Sequence, residues 1–275
     1  MHQALVSLPG DDLWRLGVLA DWEHGPHLLT YRQTGYTFSL VADALGKGEP
    51  DGLPSAALAG ICDGLLEASV PEEFKDASTS LAVDWTDLES FSRPPPAKGG
   101  ECADPEAWWG HRKNNLLRTQ DELFYGYYLS AAIMMRDESG PAIPEFARRA
   151  TLSSCRHDPV RAFAPVLTAM PGQGTPLGDI LDDSGYARRT GAERGFATVK
   201  DPAASNITRG WCRLMGLAPL MLFTTTLLIV RNQQILAAWN TRQEENQRRA
   251  AQGLPPKTRR RRRKTLTALA APGPP

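Results

Sequence analysis

Residues 78–87 read STSLAVDWTD: a Ser/Thr-rich entry, the apolar run Leu81, Ala82 and Val83, then acids at Asp84 and Asp87. Apolar and β-branched residues between polar flanks predict a buried strand whose C-terminal end opens to solvent. A carboxylate in that position is held by a rigid element and is still reached by water, so it suits a metal ligand. A single aspartate there is more often an ordinary loop or capping residue. The weight therefore falls on what accompanies it.

Working outward, residues 92–108 (SRPPPAKGGECADPEAW) are too rich in Pro and Gly for regular structure and are expected as a loop. Residues 122–137 (ELFYGYYLSAAIMMRD) predict a long second strand bent at Gly126, and residues 147–155 (ARRATLSSC) a third. In HDPVRAFAPVLTAM, Asp158 can N-cap a helix with Pro159 at its first position. PLGDILDD then predicts a short fourth strand that also ends in acid, at Asp182 and Asp183. Strand, strand, strand, helix, strand, helix is the order of an α/β or α+β mixed sheet.

Residues 1–78 mix short apolar stretches with breaks such as GKGEPDGLP and are expected as a small N-terminal module, irregular except for a helix from Ala56 to Ala68. The opening MHQALVSLPGDDLW lacks the basic and continuously apolar regions of a signal peptide. Cys62, Cys102, Cys155 and Cys212 form no C-x-x-C pair, which argues against a zinc ribbon or a disulfide scaffold and fits a cytoplasmic location.

From Leu214 to Val230 the chain is uncharged, bounded by Arg213 and Arg231, and it continues as an amphipathic helix through RNQQILAAWNTRQEENQRRAA. The apolar part reaches only the lower limit for crossing a bilayer, about 17 residues. Pro219 and Thr224, Thr225 and Thr226 weaken a spanning role. A long buried core helix is expected, with a small membrane protein as a competing reading.

The formal net charge is +0, but acids dominate the first 110 residues and arginines the remainder. The segment from 251 to 275 is a low-complexity basic tail, expected to be disordered, with Arg259, Arg260, Arg261, Arg262, Arg263 and Lys264 in one run. Such a cluster suits a polyanion, because each phosphate it neutralises releases counterion. A DNA-binding module without catalysis is thus a second alternative. His111 and His157 have no metal-like partners at useful spacing and are expected in loops or caps; Trp108 and Trp109 are expected to pack.

The last informative stretch is residues 183–200, DSGYARRTGAERGFATVK. Tyr186, Arg189, Glu193 and Lys200 follow one another at intervals of three, four and seven, which approximate whole turns of a helix and set them on one stripe. Asp84, Asp183 and Glu193 then form an Asp, Asp, Glu set in the order used by two-metal phosphoryl-transfer sites. Asp87 and Asp182 are neighbours that could replace the two aspartates.

The Tyr-x2-Arg-x3-Glu-x6-Lys pattern resembles the C-terminal motif of DDE transposases of bacterial insertion sequences. AVDWTD, FYGYYLSAAIM and DILDDSGY look like that family's first-Asp, second and second-Asp strands, so the resemblance covers roughly residues 79–240. It implies a ribonuclease H-like fold, Mg2+ or Mn2+ held by Asp84, Asp183 and Glu193, and DNA contacts from Tyr186, Arg189 and Lys200. It implies insertion-sequence ends and target DNA as partners, allows a homo-oligomer and calls for no membrane. The family keeps many tens of residues between its second Asp and its Glu, including a core strand, whereas nine stand between Asp183 and Glu193 here. An internal deletion that fused the two motifs at Tyr186 accounts for this. The expected organisation is a module at 1–78, a truncated transposase-like domain at 79–250 interrupted between 183 and 193, and a tail at 251–275.

Overall fold

The computed structural model describes residues 31–46, 48–96, 100–113, 121–175, 177–181 and 212–257. In chain order the elements are α1 (Tyr31–Leu45), α2 (Ala56–Ala68), a short α3 (Glu72–Lys75), β1 (Ser80–Glu89), β2 (Trp108–Lys113), β3 (Asp121–Met135), β4 (Ala147–Ser154), α4 (Pro159–Ala169), a 3-10 turn (Pro171–Gln173), β5 (Ile180–Leu181) and α5 (Leu217–Ala251). The described residues fall into two compact units divided between Gln233 and Gln234.

A five-stranded mixed sheet organises the first unit. β1 pairs antiparallel with β3, from Ser80 opposite Met135 to Glu89 opposite Gly126. Its other edge takes β5 in parallel, Leu81 opposite Ile180 and Ala82 opposite Leu181. The far edge of β3 is shared: β2 pairs along Asp121–Gly126 and β4 along Tyr127–Ile133. The chain therefore leaves β4 on one side of the sheet, passes through α4, and returns beside β1 on the other.

β3 can be long and central because its alternate residues are apolar on both faces. Tyr127, Leu129, Ala131 and Ile133 join Ala82 and Leu88 of β1, Leu58, Cys62 and Leu66 of α2, and Leu217–Leu222 of α5 in one apolar cluster. The intervening residues, Ala132 and Met134 among them, lie outside that cluster, and α4 packs on β3 and β4 with Phe163 buried. Asp158 caps α4 as the sequence predicts, its side chain accepting from the Arg161 N–H at 3.0 Å.

α5 spans 35 residues. Among the described residues it is the one helix long and apolar enough to cross a bilayer by length and composition. Its first half is a core helix: Leu217, Ala218, Leu220, Met221 and Leu228 are buried against the sheet. Pro219 is tolerated because the first turn needs no intrahelical N–H there. The threonines are satisfied locally, with Thr224 Oγ1 donating to the Leu220 carbonyl and Thr226 Oγ1 to that of Leu222, both at 2.9 Å. Arg231 and Asn232 end the buried stretch. Asn232, fully buried, accepts from the Ala147 N–H at 2.8 Å and donates to its carbonyl at 2.9 Å, so it acts as a strand partner for the start of β4.

Two elements differ from expectation. WWGHRK is strand β2 rather than loop, which places His111 in a strand. Residues 31–45 form a helix where irregular structure was expected. WWGHRK is too short to show its strand alone and is set by pairing with the next strand in the chain; residues 31–45 carry helical amphipathicity, with Ala42 buried.

Candidate functional site

Asp84 stands at the middle of β1, with the strand running on to Glu89. The end of the apolar run at Val83 is therefore not the end of the strand. Pairing continues because Leu88 is again buried and β3 supplies a partner at every step to Gly126. Asp84 lies opposite Ala131, in the row that includes Ala82 opposite Ile133, on the face covered by α2 and α5. Small residues flank it there, since both Ala82 and Ala131 are fully buried methyl side chains. One carboxylate oxygen accepts from the Trp85 N–H at 2.8 Å.

Asp87 is three residues on and so falls on the opposite face of the sheet. There it belongs to an ion cluster built across three strands. Arg112 of β2 reaches Asp87 at 2.9 Å and Glu89 at 2.5 Å, both on β1, and Glu122 of β3 at 3.0 Å. The hydrogen bond that Arg112 donates to Glu122, with those to Asp87 and Glu89, raises the guanidinium pKa against its partial burial. Trp85, Asp87, His111, Arg112, Asp121 and Tyr128 line a cleft of about 320 Å³ beside it. The sequence carries a local signal for this cluster: a basic HRK and an acidic DEL, seven residues apart, suit facing strands with opposite charges.

A second unforeseen cluster sits at the β4 edge. Pairing slips between Ala132 opposite Arg149 and Ile133 opposite Ala147, leaving Arg148 as the extra residue of a bulge. Arg148 and Arg149 can then both reach Glu67 of α2, at 2.9 and 2.6 Å, and both arginines are almost fully buried. Burial pushes the Glu67 carboxyl up, but the hydrogen bonds and charges of Arg149 and Arg148 outweigh it, and its pKa is lowered. Asp63, one turn earlier, is pushed up to about 6 by burial despite the Arg149 charge.

A third set of acids caps α5. Asp104 is fully buried; its oxygens accept from Ser90 Oγ at 2.5 Å, Tyr127 Oη at 2.6 Å and the Gly216 N–H at 3.2 Å. Glu106 accepts from the Leu217 N–H at 3.1 Å. Two carboxylates thus meet the positive end of the helix. Burial and the Asp104 charge raise the Tyr127 pKa.

Of the residues expected to act on DNA, only Asp84 is among those described. Asp183, Glu193, Tyr186, Arg189, Lys200 and the run Arg259–Lys264 lie outside the described residues, as does the alternative Asp182. Among the described residues no three His, Cys, Asp or Glu side chains converge as a metal site. The described residues alone do not fit a magnesium or manganese centre. Trp108 lies beneath the Arg156 guanidinium, 4.3 Å from the ring centroid, and Trp109 meets Tyr125 edge-on. The four cysteines are unpaired thiols, and burial raises that of Cys155, which does not favour a nucleophile.

Comparison with protein-family models, with curated proteins and with solved structures finds no match for this chain.

Proposed function

We propose that the chain is a DDE transposase by lineage, with a ribonuclease H-like sheet and a DNA-directed surface, and that in its present form it does not complete strand cleavage or transfer. The observation that carries this reading is the parallel pairing of β5 with β1. These are the strands that the resemblance assigns to the first and second aspartates, and parallel neighbours bring like ends together about 4.8 Å apart. Asp84 follows Ala82 by two residues, and Asp183 follows Leu181, the partner of Ala82, by the same two. That equal offset supports one site for both acids. It also favours Asp84 over Asp87, whose carboxylate is occupied by Arg112 on the other face.

Catalysis is proposed to fail because nine residues between Asp183 and Glu193 leave no room for a further strand and helix, given mean lengths of about 5–6 and 11–12 residues. The test is a strand-nicking assay with the purified chain on duplex DNA in magnesium or manganese, beside Asp84→Asn. Binding without nicking is expected from both proteins. Nicking abolished by Asp84→Asn would establish a working transposase, and failure to bind duplex DNA even at low salt would remove the DNA reading altogether.

A further inference from the structure

α1 carries an apolar pair opposite the face it buries. Phe38, Ala42 and Leu45 turn inward, with Ala42 buried in the central cluster and Phe38 and Leu45 packed against it. At 3.6 residues per turn, Arg32, Tyr36, Leu40 and Asp43 form a second stripe on the other side of the helix. All four are exposed, Tyr36 at 69% and Leu40 at 56%. A lone exposed leucine needs no explanation, but here a phenol ring and a leucine stand one turn apart between opposite charges.

Those charges oppose the helix they sit on. Arg32 is in the first turn, at the positive end of the helix dipole, and Asp43 is in the last, at the negative end. Each is unfavourable to α1 alone. An antiparallel neighbour reverses both, because its negative end then lies beside Arg32 and its positive end beside Asp43. The stripe is also its own complement. The midpoint between Arg32 and Asp43 falls within one residue of the midpoint between Tyr36 and Leu40. A single twofold axis through that level therefore sets Tyr36 of one copy on Leu40 of the other, and Arg32 of each against Asp43 of the other.

We propose that the outward stripe of α1 is a homodimer interface, in which two copies of this chain pair their α1 helices antiparallel. The interface stands apart from the DNA-directed reading and holds with or without it. Tyr36 and Leu40 of both copies form its apolar centre, and two Arg32–Asp43 pairs form its charged rim. One pair of helices of 15 residues buries less than a standard interface, so a weak dimer is expected, with a dissociation constant on the order of 10 μM.

Sedimentation equilibrium of the full chain from about 1 to 200 μM should show a monomer–dimer equilibrium. Arg32→Asp places two like-charged pairs across the axis and should weaken dimerisation about tenfold, as should Asp43→Arg. The two substitutions together restore opposite charges with their positions exchanged, and should return dimerisation to within about twofold of the native chain. Tyr36→Ala should weaken it about tenfold by removing the apolar centre. Urea unfolding curves matching the native chain exclude loss of fold as the cause. A chain that stays monomeric at the highest concentration overturns the proposal, whatever else covers the stripe. A dimer that tolerates both single charge changes, or that the double change fails to restore, has its interface elsewhere and overturns the proposal as well.

Discussion

Gly126 faces the Leu88 carbonyl so closely that a Cβ at residue 126 would lie 2.0 Å from that oxygen. This is where β3 exchanges partners, pairing with Glu89 of β1 on one edge and Trp108 of β2 on the other. Backbone, not a movable side chain, fills the space. Gly126→Ala should therefore force β1 and β3 apart and cost about 3 kcal/mol, at the upper end of overpacking effects. Urea unfolding measures it, and a loss below about 0.5 kcal/mol would show that the strands part freely.

Glu67 is the carboxylate that pairs with both Arg148 and Arg149 among the described residues. Replacing it with Gln would leave two buried guanidinium groups uncompensated, and removing one partner of such a set costs about 3–5 kcal/mol. Because the folded pKa is lowered from 4.5, the contribution is present above that pH and is lost as pH falls through the folded value. Equilibrium unfolding at pH 7 and near pH 3 should show the deficit of Glu67→Gln narrowing in acid.

Asp63 acts with the opposite sign. Its folded pKa is raised from 3.8 to about 6, so the folded chain holds the proton more tightly and stability declines as pH rises between those values. Asp63→Asn should abolish that decline and leave the variant more stable above pH 7, by about 1 kcal/mol once solvent screening is allowed for. A variant with unchanged pH dependence would show that Asp63 is paired in solution.

Much of this fold was legible in the sequence because its elements announce themselves chemically. The helix Ala56–Ala68 and the capped start at Asp158 and Pro159 match their local signals residue for residue. β1, β3 and β4 follow from apolar runs. β2 was not legible, since WWGHRK is only six residues long and is fixed by its pairing with β3. The bulge at Arg148 was equally hidden: two adjacent arginines in a strand read as solvent-facing until Glu67, 81 positions away along the chain, is brought to them. At the candidate site, the sequence reading misjudged the place of Asp84 in its strand, because the end of an apolar run reports burial on one face and not the end of pairing.

The two aspartates of β1 are separable by stability. Asp87 is held by Arg112, which also meets Glu89 and Glu122, so three acids share one cation and each ion pair helps to offset repulsion among the rest. Asp87→Asn exchanges a charged hydrogen bond for a neutral one in a partly buried site, and a loss of about 1–2 kcal/mol is expected. Asp84→Asn keeps the shape and the acceptor that receives the Trp85 N–H. A residue retained for chemistry rather than packing can be replaced at little cost, or even with a gain. The expected change for Asp84→Asn is within about 0.5 kcal/mol of the native chain. Parallel urea titrations of the two variants decide between the assignments. If Asp84→Asn is the costly substitution and Asp87→Asn the neutral one, Asp84 is a structural carboxylate and the site proposed at β1 and β5 loses its first residue.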